Sequence, residues 1–220
     1  MREKIENKEL IKKILTCLNK SDSDDFSEED LASIENISLS PKLVDGRETG
    51  LTVRDIFFFS NLKSLTLRDF HLSMDDMQLI VDRKEIENLS FISCEFEDID
   101  FDKIFVLPEN LKFISCKSLP RKFPRVKKVD INLSLVDFCS LRLESALELI
   151  IRNSKVKNVH DIERYENIKV VNFDGSKLIG ENGQEIQDIK VSRNTLYSHE
   201  EEKRYETAKS TYQNEENLER

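Results

Sequence analysis

The sequence predicts an α/β fold: a right-handed solenoid of about eight short coils with a parallel sheet on its concave face, opened by a helical cap. Three observations carry that expectation. The stretch at 88–94 reads NLSFISC and the stretch at 110–116 reads NLKFISC, the same seven letters with one change at an interval of 22 residues. Around these copies a fixed set of apolar positions recurs, as it must where each unit buries the same side chains against its neighbours. Ahead of the first unit, Leu10, Ile11, Ile14, Leu15 and Leu18 fall at helical spacing on one face, with lysines opposite.

The recurring template is L-x-x-L-x-L-x-x-N/C-x-L. It is filled by Leu62, Leu65, Leu67, Phe70 and Leu72, and again by Ile86, Leu89, Phe91, Cys94 and Phe96. Further along come Ala146, Leu149, Ile151, Ser154 and Val156, then Ile168, Val171, Phe173, Ser176 and Leu178, then Ile186, Ile189, Val191, Asn194 and Leu196. Poorer matches are Ile34, Ile37, Leu39 and Val44; Leu111, Phe113 and Cys116; and Val126, Val129, Ile131, Ser134 and Val136. The set resembles the leucine-rich-repeat family, with the array covering residues 34–197.

Fourth template positions at 37, 65, 89, 111, 129, 149, 171 and 189 are separated by 28, 24, 22, 18, 20, 22 and 18 residues. Two intervals fall short of the usual 20–29, so the fifth and eighth units have the weakest frames. The fifth also reads as a plain strand in which Val129, Ile131, Leu133 and Leu135 alternate. In the template's logic, positions four and six point from a short parallel strand into a continuous core. The ninth residue closes a ladder of backbone hydrogen bonds, a task for Asn that a small Cys or Ser also fills, so packing explains Cys94, Cys116, Ser134, Ser154 and Ser176. Lys42 and Phe70 break the pattern at that position, in the long N-terminal units.

The flanks read as lids. Residues 1–33 form a helical cap in which Ser27 and Asp30 make a variant capping box and Phe26 and Leu31 a hydrophobic staple. This helix, turn and short second helix resembles the cap that opens bacterial internalin-type repeat proteins, without the secretion signal those carry. The acidic SDSDDFSEED lacks the Gly and the spacing of a calcium loop. Residues 198–220 are charged, with Tyr205, Ala208 and Tyr212 as the apolar stripe of a helix or tail. Between units, Ser73 and Asp76 box a further helix with Met77, Ile80 and Val81 on one face, and SLPRKFPRVKK, with two prolines, is expected to run extended.

Composition narrows the function. A formal net charge of −9 repels nucleic acid and anionic lipid at long range. With 5 Gly and 4 Pro the chain has no Gly-rich phosphate cradle. The charged opening MREKIENKEL and the lack of a long apolar run point to a cytoplasmic protein without membrane insertion, and Cys17, Cys94, Cys116 and Cys139 show neither CxxC pairing nor metal spacing. No cofactor or metal is expected, and no catalytic constellation: His71, His160 and His199 lie apart, and the acidic run EFEDIDFD interleaves Phe96, Ile99 and Phe101 as a solvated edge beside apolar residues.

What remains is the concave sheet, where the third, fifth, seventh and eighth positions face away from the core. The resemblance implies a non-enzymatic protein-binding module or scaffold using that surface. Ile92 and Ile114 are expected side by side, with Ile150 further on. Arg68, Lys112, Asp130, Asn132, Arg152 and Asp174 complete the candidate protein-binding set, an apolar centre with a polar rim. The rival expectation is a nucleic-acid or phosphoinositide binder using the basic stretch Lys117–Lys128, which holds Lys117, Arg121, Lys122, Arg125, Lys127 and Lys128 with no acid between them.

Overall fold

A computed structural model describes residues 5–43, 45–97, 99, 108–117, 119, 126–143, 146–180, 182–186 and 195–197. Helices α1 (Lys8–Cys17) and α2 (Glu28–Ala32) precede β1 (Asn36–Leu39). A 3-10 helix at Val53–Phe58 leads to β2 (Ser64–Arg68), β3 (His71–Leu72) and α3 (Met74–Val81), followed by β4 (Asn88–Ile92) and β5 (Glu95–Phe96). Next come β6 (Asn110–Ile114), β7 (Lys128–Asn132), β8 (Leu135–Asp137), β9 (Glu148–Arg152) and β10 (Lys155–Lys157). A second 3-10 helix at Val159–Arg164 leads to β11 (Val170–Asn172), β12 (Lys177–Ile179), β13 (Glu185–Ile186) and β14 (Thr195–Tyr197).

One strand per coil joins an eight-stranded sheet in the order β1-β2-β4-β6-β7-β9-β11-β14, parallel throughout. The two near-copies stack in register: Leu89 pairs with Leu111, Phe91 with Phe113 and Ile92 with Ile114. Fourth and sixth positions are buried from Ile37 and Leu39 through Leu149 and Ile151. The sequence repeats because each coil lies on an equivalent coil and buries the same two slots, and the architecture is a leucine-rich-repeat solenoid. In its core Phe91 stacks on Phe113 with centroids 5.3 Å apart, and Phe96 meets both rings edge-on at 5.0 and 5.8 Å.

The ninth-position ladder is present and uses sulfur and hydroxyl alike. Cys94 Sγ donates to Leu67 O at 3.3 Å, Cys116 Sγ to Phe91 O at 3.5 Å and Ser176 Oγ to Ile151 O at 3.0 Å, each reaching the sixth residue of the preceding coil. The backbone N–H of Ser134 donates to Ser154 Oγ, and that of Ser154 to Ser176 Oγ, both at 3.2 Å. Phe70 breaks the pattern by filling its slot with a buried ring. Lys42 instead starts a detour: it bridges Glu48 in antiparallel fashion around Gly46, whose φ is +84°, which accounts for the 28-residue first interval.

The fifth frame stands, and the plain-strand alternative does not. Leu111 pairs with Val129, β7 stops at Asn132, and Leu133 and Leu135 are 56% and 53% exposed. The eighth frame is corrected. Val171 pairs with Leu196, so Leu196 and not Ile189 holds the fourth position, at an interval of 25 residues. The extra length is a hairpin: Gly180 N donates to Gln184 O, Gly183 sits at φ +75°, and Ile186 pairs antiparallel with Leu178 instead of opening a coil.

The cap forms as its residues dictate. Asn7 Oδ1 accepts from the N–H groups of Glu9 and Leu10, and Leu10, Ile14 and Leu15 are buried. Asn7 Nδ2 also donates to Thr49 O at 3.1 Å, tying the start of α1 to the detour after β1. Both capping boxes close, Ser27 with Asp30 and Ser73 with Asp76, and Phe26 and Leu31 are buried beside the first. Residues 198–220, with Tyr205, Ala208 and Tyr212, lie outside the described residues.

Candidate functional site

Alternation along a strand puts the third, fifth and seventh positions on the sheet face opposite the core. Eight of the nine predicted residues lie in strands and on that side; Asp174 falls past the end of its strand. In the seventh-position row, Arg68 on β2 pairs with Ile92 on β4, Ile92 with Ile114 on β6, and Ile114 with Asn132 on β7. The fifth-position row runs Ser90, Lys112, Asp130, Ile150 and Asn172. Ile92 and Ile114 are half-buried neighbours about 4.8 Å apart by strand spacing. Ile150 stands between Asp130 and Asn172, two strands from Ile114. Asp174, beyond β11, is a strand further still.

The charges divide the face into two halves. Toward the C-terminus they satisfy one another: Arg152 Nη1 meets Asp130 Oδ2 at 3.0 Å with the Asp130 side chain only 13% exposed, and Lys128 Nζ meets Glu148 Oε2 at 3.1 Å. Toward the N-terminus Arg68 and Lys112 have no ion-pair partner among the described residues, and they flank the isoleucine pair. Below it runs an amide row that the sequence reading missed, in which Asn110 Nδ2 donates to Asn88 Oδ1 at 2.9 Å and Asn88 Nδ2 to Ser64 Oγ at 3.2 Å. The signal was available, because all three occupy the third template position.

Two further rows pair charges from coil to coil. At the second position Lys63 meets Glu35 at 2.6 Å and Lys127 meets Glu109 at 2.5 Å. The Glu35 hydrogen bond, then its charge, holds the Lys63 ammonium above its ordinary pKa, with Glu87 adding to the effect. At the tenth position Glu95 meets Lys117 at 2.9 Å and His71 at 3.4 Å, and the Lys117 hydrogen bond keeps the Glu95 carboxyl below its usual range. The described lysines of the basic stretch, Lys117, Lys127 and Lys128, are therefore each engaged with a carboxylate of the chain itself. Arg121, Lys122 and Arg125 lie outside the described residues, as do Asp98, Asp100 and Asp102 of the acidic run and His199.

The thiols behave as core atoms. Burial pushes Cys94 up to about 11 and raises Cys116, so both stay protonated near neutrality. Among the described residues no group of three or more His, Cys, Asp and Glu side chains is placed to hold a metal ion, and no helix is long and apolar enough to cross a membrane.

The eighth position carries a constraint the template does not spell. Asp69, Ser93, Ser115, Leu133, Asn153 and Gly175 all have φ between +48° and +61°, a left-handed turn that ends each strand of coils two to seven. Asp, Asn and Gly enter that region readily; Leu does not.

No family model matches the sequence, and no curated protein matches it. Among solved structures, the chain is similar to internalin C2 from Listeria monocytogenes, at 15% identity over 86% of this chain and 92% of that one, with a TM-score of 0.44. It is also similar to InlP from Listeria monocytogenes, at 13% identity over 85% of this chain and 55% of that one, with a TM-score of 0.36.

Proposed function

We propose that the chain is a non-enzymatic protein-binding module that offers the open face of its eight-stranded sheet to a partner protein, with Ile92 and Ile114 at the centre of contact. The observation that carries this reading is the half-buried isoleucine pair on the open face of the sheet. The seventh slot has no need of an apolar side chain, since Arg68, Asn132 and Arg152 occupy it in other coils of the same sheet. Two adjacent isoleucines there, beside Arg68 and Lys112, which have no ion-pair partner among the described residues, have the apolar centre and charged rim of a binding hot spot. Strand preference for β-branched residues is the competing account of Ile92 and Ile114, and it predicts no effect on binding.

Replacing each isoleucine with Asp tests the two accounts. Because both side chains lie off the core, the variants are expected to keep the wild-type circular dichroism spectrum and to lose capture of the native partner in a pull-down. Capture equal to wild type by folded Ile92→Asp and Ile114→Asp proteins removes this surface from the reading. The phosphate-binding alternative is disfavoured by the intramolecular pairing of Lys117, Lys127 and Lys128. We assign the module to the cytoplasm on its buried, unpaired Cys94 and Cys116; an oxidised form recovered from cell fractions would count against that assignment.

A further inference from the structure

The eighth residue of coils two to seven is small or polar in every case but one. Leu133 holds the left-handed turn at φ +51° and is 56% exposed, so neither its backbone nor its burial favours leucine. Two residues on, Leu135 opens β8 at 53% exposed, although its slot in neighbouring coils is charged. That tenth-position row reads Glu95, Lys117, Leu135, Lys155 and Lys177, so lysines stand on both sides of the leucine. Lys117 and Lys177 are engaged by Glu95 and Glu185, and Lys155 has no ion-pair partner among the described residues. Backbone strain and exposed apolar surface converge on one corner with no compensating contact among the described residues, and such outliers gather where a ligand is gripped.

We propose that this corner, Leu133 and Leu135 with Lys155 beside them, is a second docking surface, distinct from the open sheet face, for an acidic segment of a partner protein that carries leucine- or phenylalanine-class side chains. Lys155, with no carboxylate of its own among the described residues, selects for an acidic side chain, and the two leucines select for apolar groups beside it. A second copy of this chain is a poor occupant, because a two-fold contact centred on the leucines sets Lys155 against its own equivalent.

The test is a selection of displayed random short peptides on the wild-type chain, followed by affinity measurements of the enriched peptides on variants. Enriched peptides are expected to combine Glu or Asp with Leu, Ile or Phe, and to bind Leu133→Asn and Lys155→Glu about tenfold or more weakly. The urea midpoint of Leu133→Asn is expected to equal or exceed that of wild type, since Asn tolerates the left-handed turn; a residue with a purely structural role would lower it. The proposal is overturned by no acidic and apolar enrichment, by unchanged affinity in both variants, or by a lowered midpoint for Leu133→Asn. Peptides that lose binding to Ile92→Asp and keep it on Leu133→Asn sit on the open sheet face; that result also overturns the proposal and leaves the other surface standing.

Discussion

Replacing Ser154 with Ala removes one rung of the ninth-position ladder and measures what that rung contributes. Ser154 Oγ accepts the Ser134 N–H at 3.2 Å and donates to Arg152 O at 2.7 Å, and the residue is 4% exposed. In the alanine variant the Ser134 N–H keeps its burial and loses its acceptor. A buried donor left unpaired costs about 1–3 kcal/mol, against about 1 kcal/mol for the net worth of an ordinary hydrogen bond. The expected loss is about 2 kcal/mol, which at a urea m-value of about 2 kcal/mol/M lowers the midpoint by about 1 M with m unchanged. Ser154→Cys is the companion variant. Thiols hold the equivalent slot at Cys94 and Cys116, so its loss is expected to be smaller, about 1 kcal/mol, from sulfur's weaker acceptance. The reasoning is refuted if Ser154→Ala falls within about 0.5 kcal/mol of wild type, or if Cys is tolerated less well than Ala.

Asn7→Ala is expected to lower stability by about 1–2 kcal/mol in the same urea titration, because it removes both the cap of α1 and the bond to Thr49 O; a loss confined to a few tenths would show the cap to be dispensable. A double-mutant cycle of Phe91→Leu and Phe113→Leu is expected to give a coupling of about 0.5–1.5 kcal/mol from the stacked rings, and additive losses would contradict that contact. Burial raises the Cys94 thiol from 9.0 to about 11, so between those values the unfolded chain releases a proton that the folded chain holds. Its contribution is fully present below pH 9.0 and is lost as pH rises toward 11, by about 2–3 kcal/mol in all. Urea midpoints at neutral and strongly alkaline pH are expected to fall less steeply in Cys94→Ala than in wild type.

Most of the solenoid was legible in the sequence because its core is a local rule repeated. Leu89 and Phe91 predict Leu111 and Phe113, and each coil supports the next assignment. The cap was legible for another reason: Ser27 with Asp30, and Leu10 with Ile14, are short-range patterns whose partners lie within one or two helical turns. The eighth coil was misframed where that locality failed. Ile186 and Ile189 fit the apolar template, and only the hairpin at Gly180 to Gln184, closed by backbone hydrogen bonds, shifts the fourth position to Leu196. At the open face, the adjacency of Ile92 and Ile114 followed from the template, whereas the Asp130 to Arg152 pair did not. It links a fifth position to a seventh across two strands, a diagonal reach set by side-chain length and not by slot.

The mixed charges at the second position have a consequence for how the array tolerates rearrangement. Glu35, Lys63, Glu87, Glu109 and Lys127 stand one per coil, so excising a coil changes which charges touch. Cutting out the second coil sets Glu35 against Glu87, two carboxylates where a salt bridge had been. Cutting out the fourth only exchanges Glu109 for Glu87 as the carboxylate facing Lys127, so the attraction is kept. The succession of coils is thus written partly on their solvent edges, and shortened versions of this rod are not interchangeable even when their greasy interiors match.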